Sequence, residues 1–183
     1  VSRHNLIALL RGINVGGRNK IPMAELREVC KGLGWEDVQT YIQSGNIIFA
    51  AGGKPPALES DLERAILDRF ELEIPVIVRS AAAWAGTIAA NPFPGASERE
   101  PRFVHLLLSK DPPAPDAAKR LQERAQGGER VALAGGALWI DYASGVGRSK
   151  LTPALLDRLT GSTVTGRNWR TVLMVDEMLR ALS

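Results

Sequence analysis

The sequence predicts an α+β protein: a ferredoxin-like βαββαβ unit, then a second, incomplete ferredoxin-like unit and a C-terminal helix. Three observations carry that expectation. Residues 1–80 alternate apolar strand runs with amphipathic helical segments in the order β-α-β-β-α-β. The same order restarts at Arg102, with its closing strand weak or missing. Glycine and proline clusters separate the segments throughout. The expected organisation is a unit with a glycine-rich loop over 1–80, a helix and linker over 81–101, and the second unit with its final helix over 102–183.

Leu6 to Leu10 is an unbroken apolar run, the mark of a strand buried on both faces. Arg11 to Lys20 is a glycine-broken loop with three cations, and Pro22 opens a helix that runs at helical period through Cys30. Gly32 and Gly34 stop it. Val38 to Ile42 reads as a strand, Ser44-Gly45 as a tight turn, and Asn46 to Ala50 as the hairpin partner. After the loop Gly52 to Pro56 comes an amphipathic helix, Leu58 to Phe70, and then a short buried strand, Pro75 to Arg79.

A helix at Ala81 to Ala90 and a breaker run, Asn91 to Gly95, lead into the second half. There Arg102 to Leu108 is a strand, Asp116 to Gln126 a helix, and Arg130 to Leu133 with Ala137 to Asp141 a hairpin around Gly135-Gly136. Thr152-Pro153 starts a helix that stops at Gly161, and Asn168 is a good N-cap for a last helix through Leu182.

A length of 183 residues with 45% hydrophobic and 23% charged side chains describes an ordinary globular chain able to bury a core. No apolar run approaches the roughly 20 residues a bilayer span needs. The N-terminus shows no signal-peptide pattern, so a cytoplasmic protein with no membrane association is expected. Cys30 stands alone, which excludes an intrachain disulfide. His4, His105 and Cys30 lie too far apart in sequence for a zinc signature, and no motif specifies a cofactor. The net charge is +3, unevenly placed: residues 1–54 hold 7 Lys+Arg against 4 Asp+Glu, 55–141 hold 10 against 13, and 142–183 hold 6 against 3. A general nucleic-acid binder more often shows a sustained basic stripe; this pattern fits a local basic site better, if the two ends of the chain meet in space.

The candidate site follows from topology. In a βαββαβ unit the first two strands run the same way, so the loop after strand one and the turn between strands two and three share one end of the sheet. That brings Arg11, Gly12, Asn14, Gly16, Gly17 and Lys20 toward Tyr41, Gln43, Ser44 and Asn46. Glycine loops at helix starts expose inward-pointing amides that hold anions. The spacing Gly12 to Gly17 matches the first part of a P-loop, but Arg18-Asn19 stands where Lys-Ser/Thr belongs, so that motif is rejected. A second glycine-and-cation loop holds Arg148, Ser149 and Lys150 before a helix start, and Arg167-Asn168 stands at another. Arginine suits bidentate phosphate or carboxylate recognition, and lysine acts as a point charge. Ser149-Lys150 lacks the orienting third group of a nucleophile–base pair, and no carboxylate pair stands in these loops. No catalytic residue is therefore assigned. Trp139, Trp169 and His105 read as core residues.

Four segments carry a family resemblance: Ala8 to Gly17, Tyr41 to Asn46, Arg148 to Leu151 and Arg167 to Val172. Together they resemble a bacterial family catalogued as domain of unknown function 1697. The departure is Gly166, where the family more often has Thr or Ala. The resemblance implies a small cytoplasmic α+β protein related to duplicated ferredoxin-like folds, and it brings no activity.

Three functions compete on these grounds. The favoured one is a cationic pocket for a small anionic ligand, phosphorylated or nucleotide-like. Nucleic-acid binding is the lesser one, because the apolar first strand and the Gly45 to Phe49 segment lack a basic-aromatic signature. The third is a non-catalytic interaction module in which the polar loops are internal hydrogen-bond braces. No feature sets the oligomeric state.

Overall fold

The computed structural model describes residues 2–182. The chain divides into two compact units: unit one runs up to Trp84 and resumes at Val175, and unit two is Ala85–Met174.

Unit one contains β1 (His4–Leu10), α1 (Met23–Gly32), β2 (Glu36–Tyr41), β3 (Asn46–Ala51), α2 (Pro55–Phe70) and β4 (Val76–Ser80). Its sheet has the order β2-β3-β1-β4 with all neighbours antiparallel, which is the ferredoxin-like arrangement. β1 sits centrally, with Leu6 opposite Phe49 on one side and Leu10 opposite Val76 on the other. Leu6, Ala8 and Leu10 face a core shared with Leu26 and Cys30 of α1 and Leu62 and Ile66 of α2. The alternate residues Ile7 and Leu9 are just as buried. Burial of both faces is why the run is apolar without alternation. Cys30 has no exposed surface, and that burial pushes its thiol up to about 12, so it serves as a small apolar filler.

The α2 helix begins at Pro55, earlier than the apolar pattern implied, because proline is tolerated in a first turn that needs no N–H. Its buried face includes Glu59, an acidic residue that periodicity alone places in solvent. The Glu59 carboxylate accepts from the Val78 amide at 2.9 Å, and Glu63, one turn on, accepts from the Val76 amide at 3.1 Å. Both amides belong to β4, which is an edge strand. The Arg79 guanidinium lies 3.7 Å from Glu59.

Unit two contains α3 (Ala81–Ala89, which starts in unit one), α4 (Pro94–Arg99), β5 (Val104–Ser109), α5 (Ala117–Arg124), β6 (Arg130–Ala134), β7 (Ala137–Asp141), α6 (Pro153–Thr160), β8 (Val164–Asn168) and the first turns of α7 (Trp169–Ala181). The sheet order β6-β7-β5-β8 repeats that of unit one. The second ferredoxin-like unit is therefore complete, which corrects the expectation of an incomplete unit whose closing strand is weak or missing. β8 escapes the sequence because Val-Thr-Gly-Arg-Asn has neither an apolar run nor clean alternation, and the strand passes straight into α7. The breaker run Asn91 to Gly95 also leads into a short helix, α4, with Pro94 in its first turn. Asn168 caps α7 as expected, its Oδ1 accepting from the Thr171 amide at 2.9 Å.

Gly166 lies mid-strand in β8 and is exposed. A Cβ built there meets nothing nearer than Leu107 Cγ at 3.4 Å, and the backbone is not left-handed. Gly166→Ala is expected to raise stability by about 0.5 kcal/mol by restricting the unfolded chain. Urea unfolding measures it; a loss instead would mean that Leu107 cannot yield.

Candidate functional site

The β1–α1 loop folds back on itself. Val15 and Arg18 pair across a two-glycine tip in which Gly16 and Gly17 have φ of +57° and +75°. The Asn14 amide N–H donates to the Asn19 carbonyl at 3.0 Å, and Asn19 Nδ2 donates to the Gly12 carbonyl at 2.9 Å. Asn14 and Asn19 both have positive φ, which asparagine tolerates better than most residues.

The β2–β3 turn lies against this loop. Asn14 Nδ2 donates to the Gln43 carbonyl at 2.8 Å and to the Ile21 carbonyl at 3.0 Å, while its Oδ1 accepts from the Ile21 amide at 2.9 Å. The Leu10 amide donates to the Gly45 carbonyl at 2.9 Å. Within the turn, Asn46 is fully buried and its Nδ2 donates to the Tyr41 carbonyl and to Ser44 Oγ. The two segments therefore meet at one end of the sheet, as the topology required. The bonds commit Asn14 and Asn46 to holding the junction. Beside it is a hollow of about 390 Å³ lined by Asn14, Gly17, Lys20, Ile21, Pro22 and Gln43. Lys20 and Gln43 are exposed there, Tyr41 is half-buried, and Arg11 is half-buried with its amide bonded to the Pro75 carbonyl at 3.0 Å.

In unit two the other candidates lie at the end of the sheet where β7 and β8 finish. The Tyr142 amide bonds the Phe103 carbonyl and the Trp169 amide bonds the Pro101 carbonyl, so both strand ends stand beside the start of β5. Arg148 closes a 3-10 turn, Val146–Arg148, and is exposed, as is Lys150. Ser149 Oγ accepts from the Leu151 amide at 3.1 Å, a local turn bond. Arg167 is buried, donating to Thr165 Oγ1 at 3.0 Å and to the Gly166 carbonyl at 2.9 Å. Burial lowers its pKa to about 10, and it remains a cation at neutral pH. His105 stands half-buried in β5, its ring against Tyr142 and its Nε2 at 3.3 Å from the Arg102 carbonyl.

A family model described as "Protein of unknown function (DUF1697)" matches residues 4–139. The chain belongs to that family. The match takes in the β1–α1 loop and the β2–β3 turn and ends before Arg148. This DUF1697 chain is also similar to a solved structure, that of conserved bacterial protein SP0830 from Streptococcus pneumoniae. The likeness has a TM-score of 0.76 at 24% identity and covers 97% of this chain and 99% of that one. At that identity it shows the fold. A comparison with curated proteins gave no match.

Among the described residues of this DUF1697 member, no group of three or more His, Cys, Asp or Glu side chains is placed to hold a metal ion. No helix there is long and apolar enough to cross a membrane. Sequence reasoning missed Asn19 and Ile13. Asn19 carries a readable signal, an asparagine beside glycines where left-handed backbone is common. Ile13 carries none: it is an isolated apolar residue in a loop, yet it is buried against the turn.

Proposed function

We propose that the protein binds a small anionic ligand, phosphorylated or nucleotide-like, where the β1–α1 loop meets the β2–β3 turn. The observation that carries this reading is the 390 Å³ hollow beside the start of α1, in which Lys20 is the one charged lining side chain. Pro22, at the N-cap, brings no side-chain cap. The first amides of the helix thus have no intrahelical acceptor and carry partial positive charge toward that end. Gly17 allows an anion close to the backbone, and Gln43 adds an exposed amide. Glu25, the acid in the first turn, is drawn to Arg69 at 2.5 Å. In unit two, Arg148 and Lys150 are exposed cations that can meet an anion, and the buried Arg167 acts there through its field and not by touch.

A second reading, a non-catalytic interaction module, is favoured by the Asn14 and Asn46 bonds, which use the loop's amides as internal braces. Base stacking of a nucleic acid on the sheet is disfavoured, because both faces of β1 are buried, which leaves that reading only backbone contacts along the basic loops.

Thermal shift and calorimetry with pyrophosphate, nucleoside monophosphates and sugar phosphates test the proposal. At least one anion is expected to raise Tm, and Lys20→Ala is expected to weaken that binding about tenfold, a loss of about 1.4 kcal/mol, without changing the unliganded Tm. An anion panel with no effect, or a Lys20→Ala variant that binds as well, leaves the module reading standing.

A further inference from the structure

One hollow in unit two has no part in the anion reading. It encloses about 530 Å³ between α3, α4 and the first turns of α7. That is within the range of roughly 300–1,000 Å³ typical of small-molecule sites. Its walls are mainly apolar, formed by Ile88, Pro94, Pro101, Leu173 and the half-buried Trp169. Trp169 and Leu173 are four residues apart, so they stand one above the other on the same face of α7.

The walls are held in place. The Trp169 amide is bonded to the Pro101 carbonyl at 3.0 Å, and its ring lies 5.8 Å from that of Trp139, which is fully buried. Across the hollow, Asn91 joins α3 to α4: its Nδ2 donates to the buried Ser97 Oγ at 2.8 Å, and its Oδ1 accepts from the Phe93 amide at 2.8 Å. The amide and hydroxyl there are engaged with each other. The one charged side chain lining the hollow is Glu98.

A carboxylate and an aromatic wall suit the same guest. The indole and its apolar neighbours take a hydrocarbon body, and the carboxylate neutralises a cation. An apolar wall without any charge would take a neutral ligand equally well; Glu98 breaks that symmetry and also disfavours anions. We infer that this hollow is a binding site for a small organic ammonium ion with an apolar body, its hydrocarbon part against Trp169, Leu173 and Ile88 and its charged nitrogen toward Glu98. The site shares no lining residue with the anion hollow of unit one, and its charged side chain has the opposite sign.

The probe pair is phenethylammonium and its neutral counterpart 2-phenylethanol, titrated into the full chain at neutral pH and low salt. The readout is the indole N–H signal of Trp169, assigned with Trp169→Phe. Phenethylammonium is expected to shift that signal saturably, and 2-phenylethanol to bind about tenfold more weakly. Glu98→Gln, at an exposed position whose fold is checked by its unfolding curve, is expected to lose about tenfold for the cation and nothing for the alcohol. The inference is overturned by no saturable shift up to roughly 10 mM. Equal binding of the two probes, or an affinity unmoved by Glu98→Gln, overturns it as well.

Discussion

Gly45→Ala is expected to destabilise the protein by about 2–4 kcal/mol, the sum of a backbone cost and a steric one. Gly45 has a φ of +84°, where an alanine is strained whatever the surrounding space. A Cβ added there falls 2.8 Å from both Leu10 Cβ and Ile13 Cδ1. The isoleucine methyl has room to rotate, but Leu10 Cβ is fixed to the central strand and has none. The natural comparison is Gly16→Ala, whose φ of +57° carries the backbone cost with nothing within 4 Å of the new methyl. Urea unfolding of both variants separates the two terms. If Gly45→Ala costs no more than Gly16→Ala, the close approach of turn and strand is not tight in solution.

Acidification is expected to cost the native state about 3 kcal/mol through His105 alone. Burial lowers the pKa of this imidazole from 6.5 to about 4, the bond to the Arg102 carbonyl opposes the shift, and the positive charge of Arg167 adds to it. The folded protein holds the ring neutral, whereas the unfolded chain protonates it near its ordinary value. The resulting stability is complete above about pH 6.5 and is lost progressively as pH falls toward about 4. Carboxylates titrate in the same window, so the useful quantity is a difference. His105→Gln should show a drop between pH 7 and pH 4 that is smaller than the parent's by about this amount. Equal drops in the two proteins would mean that the ring is solvated.

The first unit was largely legible because each of its elements announces itself. A short apolar run between turn signals reads as a strand covered on both faces, and the β-α-β-β-α-β order sets which strands run the same way. From that direction alone the β1–α1 loop and the β2–β3 turn had to meet, and the bond from Asn14 to the Gln43 carbonyl shows that they do. β8 was not legible. It is held by its ladder to β5, a long-range interaction that leaves no local periodicity in Val-Thr-Gly-Arg-Asn. Glu59 was hidden for a related reason: an acidic residue on a helix reads as solvent-facing until the strand amide it satisfies is known. At the candidate site the residue types were readable, but the division of labour was not. Nothing in the order of letters separates an asparagine that braces a loop, such as Asn14, from a lysine left exposed beside the cavity, such as Lys20. Only the donor and acceptor pairing does that.

The carboxylates of Glu59 and Glu63 carry one more implication. An unprotected sheet margin is an invitation to any extended segment, from a neighbouring copy or a stray peptide, to continue the ladder. On the β4 side two of the rungs such a guest would need are already taken by the protein's own helix, and a rival carbonyl must displace an ionised oxygen to use them. Removing both acids together would leave those two rungs open for another chain to start a ladder on, and growth of the double variant by edge-to-edge accretion is the expected result.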